Sequence, residues 1–291
     1  MTGDRLTTAE LAALRAAEGE PQVDLALAAD GHGRTWLARQ RAAYPFHVGR
    51  LWHVPGDPAG MGTLYLQCSS GGIFAGDDLH LRIAAAPGAQ AHVTSAAATL
   101  VHRVDEGTAR QRVELRADRD AVLEYFPDPL ILFPGARLRN EVVLRVHRDA
   151  LVLTGEAVVA HQLGDGRHFG LLDAETRILD ERGRQLACDR LRLTGDHLVA
   201  GDPGVLGGWR CQATLFVLQR KVPQATLVAR LRAAVPRHDR ATGGASELPA
   251  GCGAWVRLLT ADAAVLRSAL LATWAAARGC LLGVDAPRRR K

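Results

Sequence analysis

Across residues 36–218, apolar and polar residues alternate with a period of two. Leu64, Leu66 and Cys68 alternate with Thr63, Tyr65 and Gln67. Leu79, Leu81 and Ile83 alternate with His80 and Arg82. The same rhythm runs through Val113 and Leu115, through Val142, Leu144 and Val146, and through Leu191 and Leu193. This period puts one face of each strand on a core and the other in water. Helix-period segments are absent here, which argues against a Rossmann-type sheet built from crossover helices. The turns Pro87-Gly88-Ala89, Arg119-Asp120-Ala121 and Arg148-Asp149-Ala150 each lead into an apolar strand. They recur roughly every 30 residues, a spacing that fits stacked β layers or solenoid-like rungs as well as ordinary hairpin turns.

Beyond residue 218 the pattern changes. Pro223 opens a helical stripe of Leu227, Leu231 and Ala234, since proline in a first helical turn loses no hydrogen bond. Residues 236–249 are polar and glycine-rich and read as a loop, and a strand follows near 254–259. A second helix starts near Asp262, carries Leu266, Leu270, Trp274, Ala277 and Leu281 on one stripe, and closes at Gly283. The expected fold is mainly β: layered mixed β-sheets, or a β-solenoid-like scaffold, with two C-terminal α-helices near 223–235 and 262–282. One domain is expected over residues 21–285. Residues 1–20 are read as a mobile arm and 286–291 as a basic tail.

The net charge of +5 changes this picture little. Arg288, Arg289, Arg290 and Lys291 supply most of it, so the body is nearly neutral and lacks a nucleic-acid footprint. The N-terminal segment carries Asp4, Glu10, Glu18 and Glu20 without the apolar stretch of a signal peptide. The best candidate for a membrane span is interrupted by Arg267 and Arg278, so no span is expected. Cys68, Cys188, Cys211, Cys252 and Cys280 are odd in number and dispersed, as reduced thiols of a cytoplasmic protein would be.

Local chemistry is sparse. In the stretch 69–78, Gly71, Gly72 and Gly76 permit left-handed backbone and close packing. A phosphate loop would need a following helix, usually with a lysine, and neither is present. The stretch reads as a tight β-connection capped by Asp77, or alternatively as an acid held at an interface. Cys68 or Ser70 could serve a hydrolase, but no base stands nearby in sequence and no nucleophile-elbow motif occurs. His161, Asp165 and His168 share one glycine-rich loop, which could meet a metal transiently or simply be solvated. Glu156 interrupts an apolar strand, and so must be paired or line a polar cavity.

A collinear series of landmarks resembles the UreD (UreH) family of urease accessory proteins. It starts at Leu64-Tyr65-Leu66 and passes through the Gly71-Gly72…Gly76-Asp77 turn. It continues through Ala86-Pro87-Gly88-Ala89, Val93-Thr94-Ser95-Ala96-Ala97-Ala98-Thr99, Leu123-Glu124 with Phe126-Pro127, Phe133-Pro134-Gly135-Ala136, Glu156 and Arg190-Leu191. The chain departs from the family at Ser69 and Ser70 (usually prolines), at Leu100 and His102 (usually a basic residue and an aromatic), and at Arg167 (usually an acid), as a divergent member would. The resemblance implies a non-catalytic metallochaperone scaffold that binds UreF and the GTPase UreG and docks on apo-urease in a hetero-oligomer. Nickel would be in transit, with no tightly bound cofactor. Asp77 and Glu156 would line the nickel path or support it, with His161 and His168 as weaker candidates. Gly71, Gly72, Gly76 and Thr94 would form the structural motif. A solenoid scaffold for an unrelated assembly, or a hydrolase using Cys68 or Ser70, are the alternatives.

Overall fold

The computed structural model describes residues 20–161 and 167–287. In chain order its strands are β1 (Val23–Ala29), β2 (Thr35–Ala42), β3 (Phe46–Val48), β4 (Gly62–Cys68), β5 (Asp78–Ala85), β6 (Gln90–Ser95), β7 (Thr99–Val101), β8 (Ala109–Ala117) and β9 (Val122–Phe126). They continue as β10 (Leu130–Leu132), β11 (Arg137–Val146), β12 (Leu151–Ala160), β13 (Leu171–Asp180), β14 (Gln185–Leu193), β15 (Cys211–Leu218), β16 (Ala241–Glu247) and β17 (Gly253–Thr260). Among the described residues three α-helices join them: α1 (Gly195–Val199), α2 (Gln224–Ala234) and α3 (Ala263–Leu282).

The strands form two stacked sheets. One has seven strands in the order β14-β13-β11-β8-β5-β1-β2. The other has ten, following β16-β17-β15-β12-β9-β6-β4-β3, with β7 and β10 attached beside β12. The chain climbs between the sheets in rungs: β5 to β6, β8 to β9, β11 to β12. Each sheet therefore gains a parallel neighbour at every step. The three recurring turns are the corners of these rungs. Ala89, Ala121 and Ala150 stack inside them, fully or nearly fully buried. Backbone bonds from Val122 N to Ala89 O and from Leu151 N to Ala121 O, both 2.9 Å, carry the ladder around the corner. Gly88 and Asp120 occupy left-handed positions at φ 73° and 57°. A mainly β, layered, solenoid-like architecture is thus realised, with both expected C-terminal helices and, among the described residues, the short additional helix α1.

Two sequence expectations are corrected. Within residues 236–249, expected to form a loop, lies β16, which pairs antiparallel with β17 over its whole length. Its sequence of small polar residues resembles a loop because packing demands it. A Cβ on Gly243 would lie 2.4 Å from the carbonyl oxygen of Arg257, so only glycine lets this edge strand close on its neighbour. In addition, α3 is long and apolar enough, by length and composition, to cross a membrane, although no such segment was expected. In the fold it lies instead against β15 and β17. The arm and most of the basic tail fall outside the described residues.

Helices α2 and α3 cover the outer face of the ten-stranded sheet, giving a third layer. Leu227, Val228 and Leu231 of α2, with Leu266, Ala269, Trp274 and Ala277 of α3, pack on Leu153, Ala213, Leu215, Val256 and Leu258. With both faces covered, all eight residues of β15 are buried, as expected of a strand inside a layered fold. Asp262 caps α3 by accepting from Val265 N at 2.9 Å, and Gly283 ends the helix at φ 66°.

One ion-pair chain fastens this helix layer to the sheet. Arg278 of α3 is fully buried. Its Nε donates to Glu124 Oε1 and its Nη2 to Asp57 Oδ1, each at 2.8 Å. His92 Nδ1 donates to the other Glu124 oxygen at 2.7 Å, and the Arg278 guanidinium lies 5.0 Å from the Trp274 ring centroid. Burial alone would raise the Glu124 pKa, but His92 and Arg278 together bring it below the ordinary carboxylate value. Removing one partner of such a chain strands buried charge. We therefore expect Arg278→Met to lower unfolding free energy by about 3–5 kcal/mol, read from urea-induced unfolding, while exposed Arg267→Met changes it by less than about 0.5 kcal/mol.

Candidate functional site

The sandwich is not filled at one end. A cavity of about 640 Å³ lies between the sheets, reaching from Glu156 to the Gly71-Gly72 turn and the segment Ser95–Leu100. Strand register builds its polar wall. On the seven-stranded sheet, Gln111 sits beside Asn140 and Thr176 beside Asp189. On the ten-stranded sheet, Glu156 pairs with Thr214, and Thr214 with Arg257. Period-two geometry turns these residues inward, while the neighbours Gly155 and Ala213 face the helices on the other side.

Glu156 is the centre of this belt. Thr176 Oγ1 donates to its Oε2 at 3.0 Å, and Asn140 Nδ2 approaches its Oε1 at 3.5 Å. Gln111 Nε2 donates to Asn140 Oδ1 at 2.9 Å and fixes the amide. Among the described residues, no cation touches Glu156. Arg257, the nearby guanidinium, instead places Nη2 at 2.8 and 2.7 Å from the two oxygens of Asp189. Burial, reinforced by the Asp189 charge, pushes Glu156 up to about 7 against the opposing Thr176 bond. Tyr125, on the same wall, is pushed up as well, by burial and then by the Glu156 charge. Gln212 Oε1 is buried on the cavity wall without a hydrogen-bond partner. The belt thus offers a carboxylate and several neutral oxygens, the donor type that suits hard or borderline cations.

The structure separates the residues that the sequence grouped. Glu156 lines the cavity, as do Gly71 and Gly72, whereas Asp77 does not. Asp77 Oδ2 accepts from Phe74 N at 2.8 Å and closes its own turn. Gly72 is at φ 146°, and a Cβ there would meet Leu100 O at 2.4 Å, so this position requires glycine. Thr94 is buried and donates to Phe126 O at 2.5 Å, tying two rungs. His161 packs its ring 4.5 Å from Phe133, between centroids. His168 is engaged with Asp196 at 3.0 Å. Asp165 lies outside the described residues. Among the described residues, no group of three or more His, Cys, Asp or Glu is placed to hold a metal ion together. Cys68 Sγ stands 3.1 Å from Ser70 Oγ, which donates to Gly72 O at 2.7 Å; these contacts hold a turn and supply no base.

Sequence reasoning missed Asp189, Arg257 and Gln212, because each sits in an ordinary alternating strand and gains meaning only from the facing sheet. It also passed over Glu124 and Arg278. Glu124, between Leu123 and Tyr125, invited the question that was asked of Glu156.

The raised Glu156 pKa has a signed consequence. The unfolded carboxyl ionises near 4.5 and the folded one near 7. Between those values folding must keep the proton or bear the charge, so native stability falls as pH rises across this window. Wild type should therefore lose on the order of 2–3 kcal/mol relative to Glu156→Gln from about pH 4.5 to 7, and nothing further above it. Denaturant unfolding of both proteins across that range measures the difference.

A family model described as UreD urease accessory protein matches residues 18–291. The chain is 42% identical over 262 residues to the protein named urease accessory protein UreD 1 of Pseudomonas syringae pv. syringae (strain B728a), covering 89% of this chain and 91% of that one. It is 43% identical over 260 residues to the protein of the same name in Pseudomonas syringae pv. tomato (strain ATCC BAA-871 / DC3000), with 89% and 91% covered. It is 39% identical over 268 residues to that of Methylorubrum populi (strain ATCC BAA-705 / NCIMB 13946 / BJ001), with 90% and 89% covered. Matched over nearly its whole length, the chain belongs to the UreD family of urease accessory proteins.

Proposed function

We propose that this protein is a non-catalytic scaffold of urease maturation, working in the cytoplasm in a complex with UreF and the GTPase UreG docked on apo-urease. Nickel ions bound for urease pass through the inter-sheet cavity, past Glu156. The observation that carries this reading is the cavity itself: about 640 Å³ of space, bordered by a half-buried carboxylate that no cation among the described residues pairs with. A passage must hold its cargo weakly. Oxygen donors spread along a wall exchange a borderline ion, where a closed cage of thiolates or imidazoles would keep it. Gln212 Oε1, Thr176 and Asn140 are oxygen donors beside Glu156 and require no proton loss to meet a cation.

In this reading Asp77 and the glycines around it act by shape. Their turn forms the cavity's end, and Gly72 allows the segment at Leu100 to close against it. His161 and His168 are secondary, since each already has a partner. The chemistry of maturation belongs to the partners, GTP hydrolysis to UreG and nickel-dependent ureolysis to urease.

Co-expression with UreF, UreG and urease subunits tests the proposal. The chain is expected to co-purify with them. Glu156→Gln is expected to join the complex in wild-type amounts yet leave urease largely without nickel, measured by metal analysis of purified urease. A chain that purifies alone beside abundant partners contradicts the scaffold role. Full nickel loading by the Gln variant contradicts the passage.

A further inference from the structure

Three carboxylates line the cavity, Asp128, Glu156 and Asp189, and Arg257 engages the last of them. Asp189 is next to Thr176 on its sheet, and Thr176 holds Glu156. Arg257 reaches it from the other sheet, two strands from Glu156 in the same register row. The guanidinium engages both Asp189 oxygens through Nη2 and is steadied by the Trp255 ring, 5.3 Å from its centroid. Arg257 and Asp189 are each about one-quarter exposed, 22% and 27% on their side chains. The pair is therefore neither locked in the core nor free in water.

Resting on the passage reading above, we propose that Arg257 sets how firmly the passage holds a divalent cation, by occupying Asp189 so that it does not join Glu156 in holding the ion. The electrostatic argument is direct. With Arg257 in place, the belt carries a fixed positive charge that repels an entering ion, and Asp189 is spent on it. Without it, Asp189 joins Glu156 in facing one space, and a divalent ion between them gains a further counter-charge as the repulsion disappears. Such a site is a trap. A protein that delivers its cargo has reason to keep the second carboxylate engaged, and an arginine, which stays charged at every working pH, does so permanently. Arg257 is a positioning residue in this account, since it acts through Asp189 and not on the ion.

Titration of the purified full-length chain with Ni²⁺, followed by calorimetry, tests the inference. Arg257→Gln is expected to tighten Ni²⁺ binding about tenfold or more over wild type. Arg257→Lys, which keeps the charge, is expected to bind within about threefold of wild type. The double variant Arg257→Gln/Asp189→Asn should return toward wild type, because the released carboxylate is gone. Asp189→Asn alone is an independent check: it leaves the Arg257 charge without Asp189 beside the passage and should weaken binding. An Arg257→Gln protein that folds and binds Ni²⁺ no more tightly than wild type overturns the inference, as does tighter binding by Asp189→Asn. Glu156→Gln in the same titration separates the two levels. If it binds Ni²⁺ and loads urease as wild type does, the passage reading fails and the role of Arg257 with it. If it is impaired while Arg257→Gln is indifferent, the passage stands and only the inference falls.

Discussion

A guanidinium can leave water only where carboxylates replace the hydration it loses, and the layered fold is organised around one such place. Arg278 is fully buried between Glu124 on β9 and Asp57 in the loop before β4, with His92 completing the chain. These four groups come from a helix, two sheet strands and a loop. They form together only when the helix layer is seated on the ten-stranded sheet. Seating that layer makes the sheet's outer face a second core, so β12 and β15 become strands covered on both sides. Any polar residue on their inner face is then confined to the space between the sheets.

That confinement explains why two glutamates of neighbouring strands, Glu124 fully buried and Glu156 half-buried, behave oppositely. Glu124 points toward the helices, meets Arg278 and His92, and is held below the ordinary carboxylate range. Glu156 points into the cavity, meets Thr176 and Asn140, and is pushed up to about 7. Burial acts on both; the difference is whether a cation is supplied. At Glu124 the fold supplies one and gains a fastening. At Glu156 it withholds one, spending the nearby Arg257 on Asp189, and so leaves an acceptor for positive charge inside a space that an ion could traverse. A scaffold needs the first kind of acid and a passage needs the second.

Much of this was legible in the chain. Period-two alternation gave the strands, the recurring turns gave the rungs, and Leu266, Trp274 and Ala277 gave the buried stripe of α3. The landmarks from Leu64 to Leu191 pointed to the UreD family, and Glu156 stood out because a carboxylate in an apolar strand needs a reason. What could not be read was everything decided across the sandwich. Asp189 and Arg257 are 68 residues apart and look like solvent-facing members of alternating strands until the sheets are laid face to face. Arg278 and Glu124 are 154 apart, and Arg278 looked like an interruption of an apolar helix, not its anchor. The edge strand β16 was hidden for a different reason: the glycine that reads as a loop residue is what allows close approach to β17.

The central claim is that cargo moves through the space between the sheets, and blocking that space tests it most directly. Ala174 lines the cavity on the seven-stranded sheet, beside Asn140 in register and away from Arg278 and its partners. Ala174→Phe would fill volume there without changing a charge. The measurement is the nickel content of urease matured with this variant, made alongside the amount of complex recovered. The account predicts a complex formed in wild-type quantity around urease that stays poor in nickel. Urease fully loaded through a plugged chain would contradict it.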